Sequence, residues 1–196
     1  MKPGIVVFAS GTGTNFQALI DACENGELHA RIRALITNRE DAGAITRARS
    51  YKIPYAVFKA SEYQFHENYI SSLLNKVWQF NPDLIVLAGY LEKIPKDVIE
   101  QAGCPIINIH PALLPKYGGK GMYGTHIHRA VIEQGETESG CTVHMVNENF
   151  DEGRILKQVR VPVKPDDTPE TLAARIRPYE HQILIKTANQ LLNPSP

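Results

Sequence analysis

The chain has 196 residues, of which 43% are hydrophobic and 21% are charged, and its 21 basic and 21 acidic side chains give a formal net charge of zero. This composition predicts one domain with a sizeable core, and the balanced charge argues against a protein that binds nucleic acid electrostatically. No membrane-length apolar run or secretory signal is visible and the three cysteines are scattered, so we expect a cytoplasmic protein with reduced thiols.

The first 110 residues alternate short apolar runs with helical patterns. The run Asp83–Ala88 is apolar almost throughout, as expected of a strand covered on both faces. The β-α-β-α rhythm predicts an α/β fold with an open, mainly parallel twisted sheet and helices on both faces, which is a Rossmann-like architecture. Strands are predicted at 4–9, 32–37, 55–58, 83–88 and 105–110, and helices at 16–24, 42–51 and 61–80.

The pattern changes after Pro111, where a loop rich in glycine and proline is expected to run to about Gly124. Pro178 lies inside the last predicted helix, where it removes a hydrogen bond, so a kink is expected there. The elements predicted in this half are a helix at 126–134, strands at 141–147 and 155–163 near the edge of the sheet, and a final helix capped by Asp167 and Thr168.

A glycine-rich turn, Ser10–Asn15, lies between the first strand and the first helix. Glycines let the backbone approach a ligand closely, and the free amides of a helix N-terminus suit a phosphate. A P-loop is excluded because no Gly-Lys-Ser/Thr follows, and a dinucleotide fingerprint is damaged because Phe16 replaces its third glycine. The turn therefore favours a monophosphate site, with a tight turn that binds nothing as the alternative.

Two polar side chains, Asn108 and His110, lie near the end of an otherwise apolar strand. They point the same way because side chains alternate along a strand, and ligands bind at the carboxyl ends of strands in open α/β sheets. A buried structural histidine is the alternative for His110. Asp151, in an acidic loop between two strands, is by itself a turn residue, and beside Asn108 and His110 it becomes a candidate for orienting or charging the imidazole.

Three segments, in order along the chain, resemble the folate-dependent formyltransferase family: Ala9–Asn15, Ile109–Tyr117 and Phe150–Gly153. The resemblance covers essentially the whole chain. Among members of this family, the length of the chain is most similar to that of the phosphoribosylglycinamide formyltransferases. The relatives that act on tRNA or hydrolyse the folate carry an extra domain. The resemblance implies an enzyme of purine biosynthesis that transfers the formyl group of 10-formyltetrahydrofolate, as cosubstrate, to the amino group of glycinamide ribonucleotide, through a tetrahedral oxyanion and without a metal.

The resemblance also implies roles for individual residues. Asn108 and His110 would stabilise the oxyanion, and Asp151 would raise the pKa of the imidazole and relay the amine proton. Within a single domain, residues 1–110 would bind the ribonucleotide and 111–196 would supply the folate side. The ribonucleotide would contact Gly13, Thr14, Asn15 and Glu180, and the folate would contact Leu91, Lys93, Ile94, Val146, Asn147, Phe150 and His66, the last at a position where relatives often carry arginine.

Several alternatives stay open. The chain could be a formyltetrahydrofolate hydrolase, a nucleotide sensor, or an NADP-dependent reductase with Arg39 as the contact to the 2′-phosphate. The histidines of His126-Ile-His128 would point apart on a helix, which rejects them as a metal pair. A hypothesis for the loop 118–124, which contains four glycines, is that it acts as a lid over the folate. The expected assembly is a monomer or a homodimer with small-molecule partners.

Overall fold

The computed structural model describes residues 2–194, which form a seven-stranded sheet covered by six α-helices. The strand order is β3-β2-β1-β4-β5-β6-β7, parallel from β3 to β5 and antiparallel from β5 to β7. The predicted mainly parallel α/β fold is thereby confirmed. The elements are β1 (Gly4–Phe8), α1 (Thr14–Asn25), β2 (Arg31–Thr37), α2 (Gly43–Ser50), β3 (Tyr55–Val57), α3 (His66–Phe80), β4 (Leu84–Leu87), α4 (Lys96–Gln101), β5 (Ile106–His110), α5 (Thr125–Glu133), β6 (Glu138–Met145), β7 (Ile155–Pro162) and α6 (Pro169–Leu192).

The central strands are apolar because helices cover both faces of the sheet. Every residue of β1 and β4 is buried, as a parallel strand in the middle of such a sheet requires. One core cluster packs around Phe16 and Leu19 of α1, and a second packs around Tyr69 and Leu73 of α3. The connections leave β1 and β4 in opposite directions, so the loops at their carboxyl ends diverge and leave a crevice between them.

Two helices differ from the predictions for the first half of the chain. The helix predicted from Ser61 begins at His66, because Ala60–Glu62 forms a separate 3₁₀ turn. Helix α4 was missed by the sequence analysis, since it spans only six residues and buries a single side chain, Val98. A segment that short carries too few apolar residues to show a helical period.

The edge strands and the last helix follow the predictions with one shift. Strand β6 begins at Glu138 rather than Cys141, because its pairing with β7 already starts there. Thr168 caps α6 in a reciprocal pair of hydrogen bonds with Thr171, whereas the carboxylate of Asp167 accepts hydrogen bonds from Arg175. Helix α6 continues through Pro178, and the kink there stays a prediction.

The three cysteines are free thiols in the described part of the chain. Cys23 and Cys104 are half-buried and Cys141 is buried. Burial raises the pKa of Cys23 and Cys104 to about 11 and that of Cys141 to about 12, because a thiolate is poorly solvated there. Within residues 2–194, no helix combines the length and the apolar character that crossing a membrane requires.

Candidate active site

A cavity of about 710 Å³ lies at the carboxyl ends of the parallel strands. Its walls are the loops that follow β1, β4 and β5, the segment after β6, the start of α5 and one side of α6. This is the crevice in which open α/β sheets bind ligands. The predicted site residues in its lining are Gly13, Thr14, Asn15, Leu91, Lys93, Ile94, Asn108, His110, Val146, Asn147, Phe150, Asp151 and Glu180.

The turn before α1 requires glycine for two reasons. Gly13 has a φ of 75°, which side chains rarely adopt, and an added Cβ would lie 2.9 Å from Cβ of Ala44. In the described chain no side chain caps α1, so the amides of its first turn are available to a ligand. The turn thus has the geometry of an anion site at a helix N-terminus.

Asn15 and Glu180 form a polar pair beside that turn. The Nδ2 atom of Asn15 donates to Oε2 of Glu180 over 2.8 Å, while Oδ1 of Asn15 is buried and has no partner within residues 2–194. Burial raises the pKa of Glu180, and the hydrogen bond from Asn15 and the charge of Arg177 only partly oppose this. Both side chains therefore present acceptor oxygens, which suit a ligand that donates hydrogen bonds, such as one bearing hydroxyl groups.

Asn108, His110 and Asp151 meet in the cavity, as predicted. Oδ1 of Asp151 lies 3.3 Å from Nδ2 of Asn108 and 3.5 Å from Nδ1 of His110. The strand alternation of β5 places Asn108 and His110 on one face, and the β6–β7 loop brings Asp151 to them. Asp151 has a φ of 58°, a left-handed conformation that aspartate tolerates better than most residues.

His144 is a functional candidate that the sequence analysis missed. It lies directly opposite Asn108 in the antiparallel pairing of β5 and β6 and is almost fully buried. Its Nδ1 lies 2.8 Å from the carbonyl of Met145, so Nδ1 bears the proton and Nε2 accepts from Nδ2 of Asn108 over 3.0 Å. The amide of Asn108 is therefore oriented by His144 on one side and by Asp151 on the other.

The protonation of His110 reflects two opposing effects. Its Nε2 donates to the carbonyl of Tyr117 over 2.7 Å, so Nδ1 is the atom that faces Asp151. Burial lowers the pKa of His110, and the raising effects of Asp151 and of the Tyr117 carbonyl are smaller. Asp151 therefore raises the pKa of His110, as expected, but desolvation outweighs this effect and the net shift is downward.

Asp151 itself stays ionised. Burial raises its pKa, but its contacts with the imidazoles of His144 and His110 and with the amide of Gly119 together lower the pKa below its ordinary value. The Gly119 amide donates to Oδ2 over 2.9 Å. The carboxylate thus contacts three surrounding segments and can act as a proton acceptor.

The predicted folate residues form a largely apolar part of the lining, with one exception. Leu91 and Phe150 are partly exposed there, and Nζ of Lys93 lies 6.0 Å from the ring centroid of Phe150. His66 is an exposed residue at the start of α3, its ring 5.9 Å from that of Tyr69, and it is not among the described residues that line the cavity.

Two further residues, one in the cavity lining and one directly before it in the chain, were not assigned a role from the sequence. His128 lines the cavity but is 3% exposed, and burial lowers its pKa to about 4, so its imidazole is neutral. Ser10 donates from Oγ to Asn38 over 2.6 Å and accepts from the amide of Leu91 over 2.9 Å. The Ser10 hydroxyl thereby connects the turn before α1 to the loop after β4.

The remaining sequence predictions have these outcomes. The guanidinium of Arg39 donates two hydrogen bonds to Asp41. The group that an NADP-dependent reductase would use to bind the 2′-phosphate is therefore already paired with a carboxylate. Residues Gly119 to Gly124 border the cavity, and their role as a lid stays a prediction. Across residues 2–194, no group of three or more histidine, cysteine or acidic side chains is arranged to bind a metal ion.

The chain is similar to known proteins over nearly its whole length. The family model described as formyl transferase matches residues 3–188. The chloroplastic phosphoribosylglycinamide formyltransferase of Arabidopsis thaliana is 40% identical over 188 residues, which are 95% of this chain and 64% of that protein. The phosphoribosylglycinamide formyltransferase of Haemophilus influenzae is 40% identical over 179 residues, which are 91% of this chain and 82% of that protein.

The solved structures agree with these relatives. Glycinamide ribonucleotide transformylase 1 from Geobacillus kaustophilus is 35% identical and superposes with a TM-score of 0.90, covering 98% of this chain and all of that one. The chain spans less than two thirds of the plant relatives from Arabidopsis thaliana and Vigna unguiculata, 64% and 60% of their lengths. The match of the family model over residues 3–188, on this fold, shows that the chain belongs to the formyl transferase family.

Proposed function

We propose that the chain transfers the formyl group of 10-formyltetrahydrofolate to the amino group of phosphoribosylglycinamide. The observation that carries the proposal is the meeting of Asn108, His110 and Asp151 in a cavity that also contains a helix N-terminus suited to phosphate. The names of the relatives state formyl transfer and phosphoribosylglycinamide, which supports the reaction type and the acceptor. Formyl transfer to an amine needs such hydrogen-bond donors and such a proton acceptor, and it needs both molecules in one cavity.

The first-turn amides of α1 and the Asn15–Glu180 pair support binding of the ribonucleotide. A phosphate would accept hydrogen bonds from the amides of Gly13, Thr14 and Asn15. The acceptor oxygens of Asn15 and Glu180 would then receive hydrogen bonds from ribose hydroxyls. The buried Oδ1 of Asn15 has no partner in the described protein, and a bound hydroxyl would remove the cost of that orphaned acceptor.

The lining around Leu91, Ile94, Val146 and Phe150 supports binding of a flat, largely apolar ring system. The cavity volume of about 710 Å³ is within the range of about 300–1,000 Å³ that ligand pockets usually have. When bound, the folate supplies a formyl group on a nitrogen that can leave as an amine. Lys93 and Asn147 would contribute polar contacts beside the apolar ones, whereas the position of His66 lends no support to a folate contact.

The trio would divide the chemistry between charge stabilisation and proton transfer. As the substrate amine attacks the formyl carbon, Nδ2 of Asn108 and a protonated Nδ1 of His110 would donate to the carbonyl oxygen, on which negative charge develops. The ionised Asp151 would accept the amine proton, directly or through a water molecule. The new nitrogen–carbon bond forms, the bond to the folate nitrogen breaks, and that nitrogen receives the proton.

A spectrophotometric assay of deformylated folate, with and without the ribonucleotide, tests the proposal. We expect release of deformylated folate only when phosphoribosylglycinamide is present. Equal release without the ribonucleotide would replace the transferase by a hydrolase. Ribonucleotide binding without any release would favour a nucleotide sensor and remove the trio from catalysis.

A further inference from the structure

The segment Lys116–Gly119, which follows Leu113-Leu114-Pro115, contacts His110 and Asp151 through its backbone. The Tyr117 carbonyl accepts from Nε2 of His110 over 2.7 Å, and the Gly119 amide donates to Oδ2 of Asp151 over 2.9 Å. Two groups of the proposed trio thus depend on where this short segment lies. Neither contact needs a particular side chain, so side chains elsewhere on the segment must fix its position.

The side chain of Tyr117 lies outside the main cavity. It lines a separate cavity of about 270 Å³, together with Glu136. Its hydroxyl donates to Oε1 of Glu136 over 3.0 Å, and Nζ of Lys116 lies 2.8 Å from the same oxygen. Glu136 is itself fixed by its amide, which donates to the carbonyl of Val131 at the end of α5. Tyr117 therefore connects two parts of the molecule: its carbonyl contacts His110, and its hydroxyl contacts Glu136 in the turn after α5.

Tyr117 also needs an external constraint. Its φ of 58° is left-handed, a conformation that is strained for an aromatic residue and persists only when the surroundings enforce it. The next residue, Gly118, is also tightly enclosed. A Cβ added to Gly118 would lie 2.7 Å from the side chain of Leu114 and 3.1 Å from Cβ of Asp151. The hydroxyl contact with Glu136 is the polar contact of this side chain that can supply the constraint.

We infer that Glu136 is a positioning residue, which fixes the Tyr117 carbonyl against the imidazole of His110 through the Tyr117 hydroxyl. The inference rests on the proposed function in so far as His110 is taken to be a reacting group. Without the contact, Tyr117 can relax toward ordinary backbone angles and withdraw its carbonyl from Nε2. The loss of that acceptor would destabilise the protonated imidazole.

The titration of His110 gives a readout that does not depend on activity. The charged or titratable groups that face His110 are Asp151, His144 and His128, and none of them is changed by substitutions at 117 or 136. In Tyr117→Phe and in Glu136→Ala, we expect the midpoint of His110, followed by NMR of labelled histidine rings, to fall by about half a pH unit or more. Glu136→Gln keeps an acceptor oxygen for the hydroxyl and should restore the native midpoint.

A kinetic comparison of the same variants completes the test. Tyr117→Phe and Glu136→Ala should lower kcat about tenfold and leave the KM of both substrates within about twofold, because positioning affects the reacting group more than binding. Lys116→Gln is the matched control, since it removes the other contact with the same Glu136 oxygen and should behave like the native protein. Glu136 is partly exposed, so its variants are expected to fold even if Tyr117→Phe does not.

Two results would overturn the inference. One is a native His110 midpoint and native kcat in both Tyr117→Phe and Glu136→Ala. The other is a loss in Lys116→Gln as large as in Glu136→Ala, which would assign the effect to the ion pair. If the native protein showed no ribonucleotide-dependent formyl transfer, the proposed function would fail, while the NMR titration would still decide whether Glu136 positions His110.

Discussion

The parallel half of the sheet and its antiparallel edge contribute to the site in different ways. At the ends of the parallel strands β1 and β4, loops contribute glycines, backbone amides and apolar side chains to the cavity. At the edge, side chains of β6 and of the loop after it reach across to β5, where His144 and Asp151 both contact Asn108. We therefore expect substitutions in the turn after β1 to change mainly the KM of the ribonucleotide, and substitutions at the edge to change mainly kcat.

The largest effect is expected at the edge, from Asp151→Asn. The substitution removes the charge that faces His110, and asparagine tolerates the left-handed backbone at this position. We expect kcat to fall by about two orders of magnitude or more, with little change in Tm, because proton transfer and charge stabilisation are both impaired. Steady-state kinetics and a thermal melt measure this, and a turnover within tenfold of the native protein would remove Asp151 from the mechanism.

In the parallel half, Gly13→Ala should act on binding. The new Cβ would lie 2.9 Å from Ala44 and force the turn away from a phosphate, so the KM for the ribonucleotide should rise by about tenfold or more, with a smaller change in kcat. Gly26→Ala is the matched control, because Gly26 also has a positive φ and lies at the other end of α1, with open space around an added Cβ. It should lower Tm through backbone strain and leave KM unchanged, and equal KM values for the two variants would contradict a phosphate site at Gly13.

A double-mutant cycle sharpens the assignment of His144 to the edge. We expect His144→Ala to lower kcat about tenfold, because Asn108 loses one of the two groups that orient its amide. In the background of Asn108→Ala, the same substitution should have little further effect, which corresponds to a coupling of about 1 kcal/mol or more. Additive losses measured from kcat in the four proteins would mean that His144 acts independently of Asn108.

The smallest expected effect is a change in the pH dependence of Tm on substitution of Glu180, which lines the cavity beside Asn15. Burial raises the pKa of Glu180 in the folded protein, so its contribution to stability is present at acid pH, below the ordinary glutamate pKa, and is lost as the pH rises through the folded value. Glu180→Gln stays neutral and avoids that loss. Its Tm should therefore exceed the native Tm at neutral pH, and the difference should shrink in acid.

Glu180→Gln also links stability to function. The same variant should raise the KM for the ribonucleotide, because the amide is a weaker acceptor than the carboxylate. Thermal melts across the acid range and steady-state kinetics at neutral pH measure the two effects. A Tm difference that grows as the pH falls would show that the carboxylate stabilises the fold instead.

Much of the parallel half could be predicted from the sequence, because its signals are local. Apolar runs alternate with helical patterns, the glycine-rich turn predicts an anion site at Gly13, and the rule that ligands bind at the carboxyl ends of strands predicts a ligand site at Asn108 and His110. Helix α4 was not predicted, because six residues are too few to show a helical pattern of apolar side chains. His66 was assigned to the folate by resemblance alone, and that role stays a prediction, because His66 is not among the described residues that line the cavity.

The edge was harder to predict because its contacts depend on register. His144 meets Asn108 only through the pairing of β5 with β6, and the pairing of β6 with β7 shifts register between Val143 and His144. An alternating sequence does not specify which residue of a neighbouring strand lies opposite. The Tyr117 carbonyl carries no side-chain signal at all, and the depth of burial that lowers the pKa of His110 depends on the whole fold.

The thiols of the chain have a practical consequence for following the glycine-rich loop in solution. With pKa values of about 11 to 12, Cys23, Cys104 and Cys141 are almost entirely protonated at neutral pH and react slowly with alkylating reagents. A cysteine introduced at the exposed Tyr123 would have a lower pKa and better access, so a fluorescent maleimide should label it selectively. A fluorescent label can therefore be attached to the Tyr123→Cys variant without first replacing the three native cysteines.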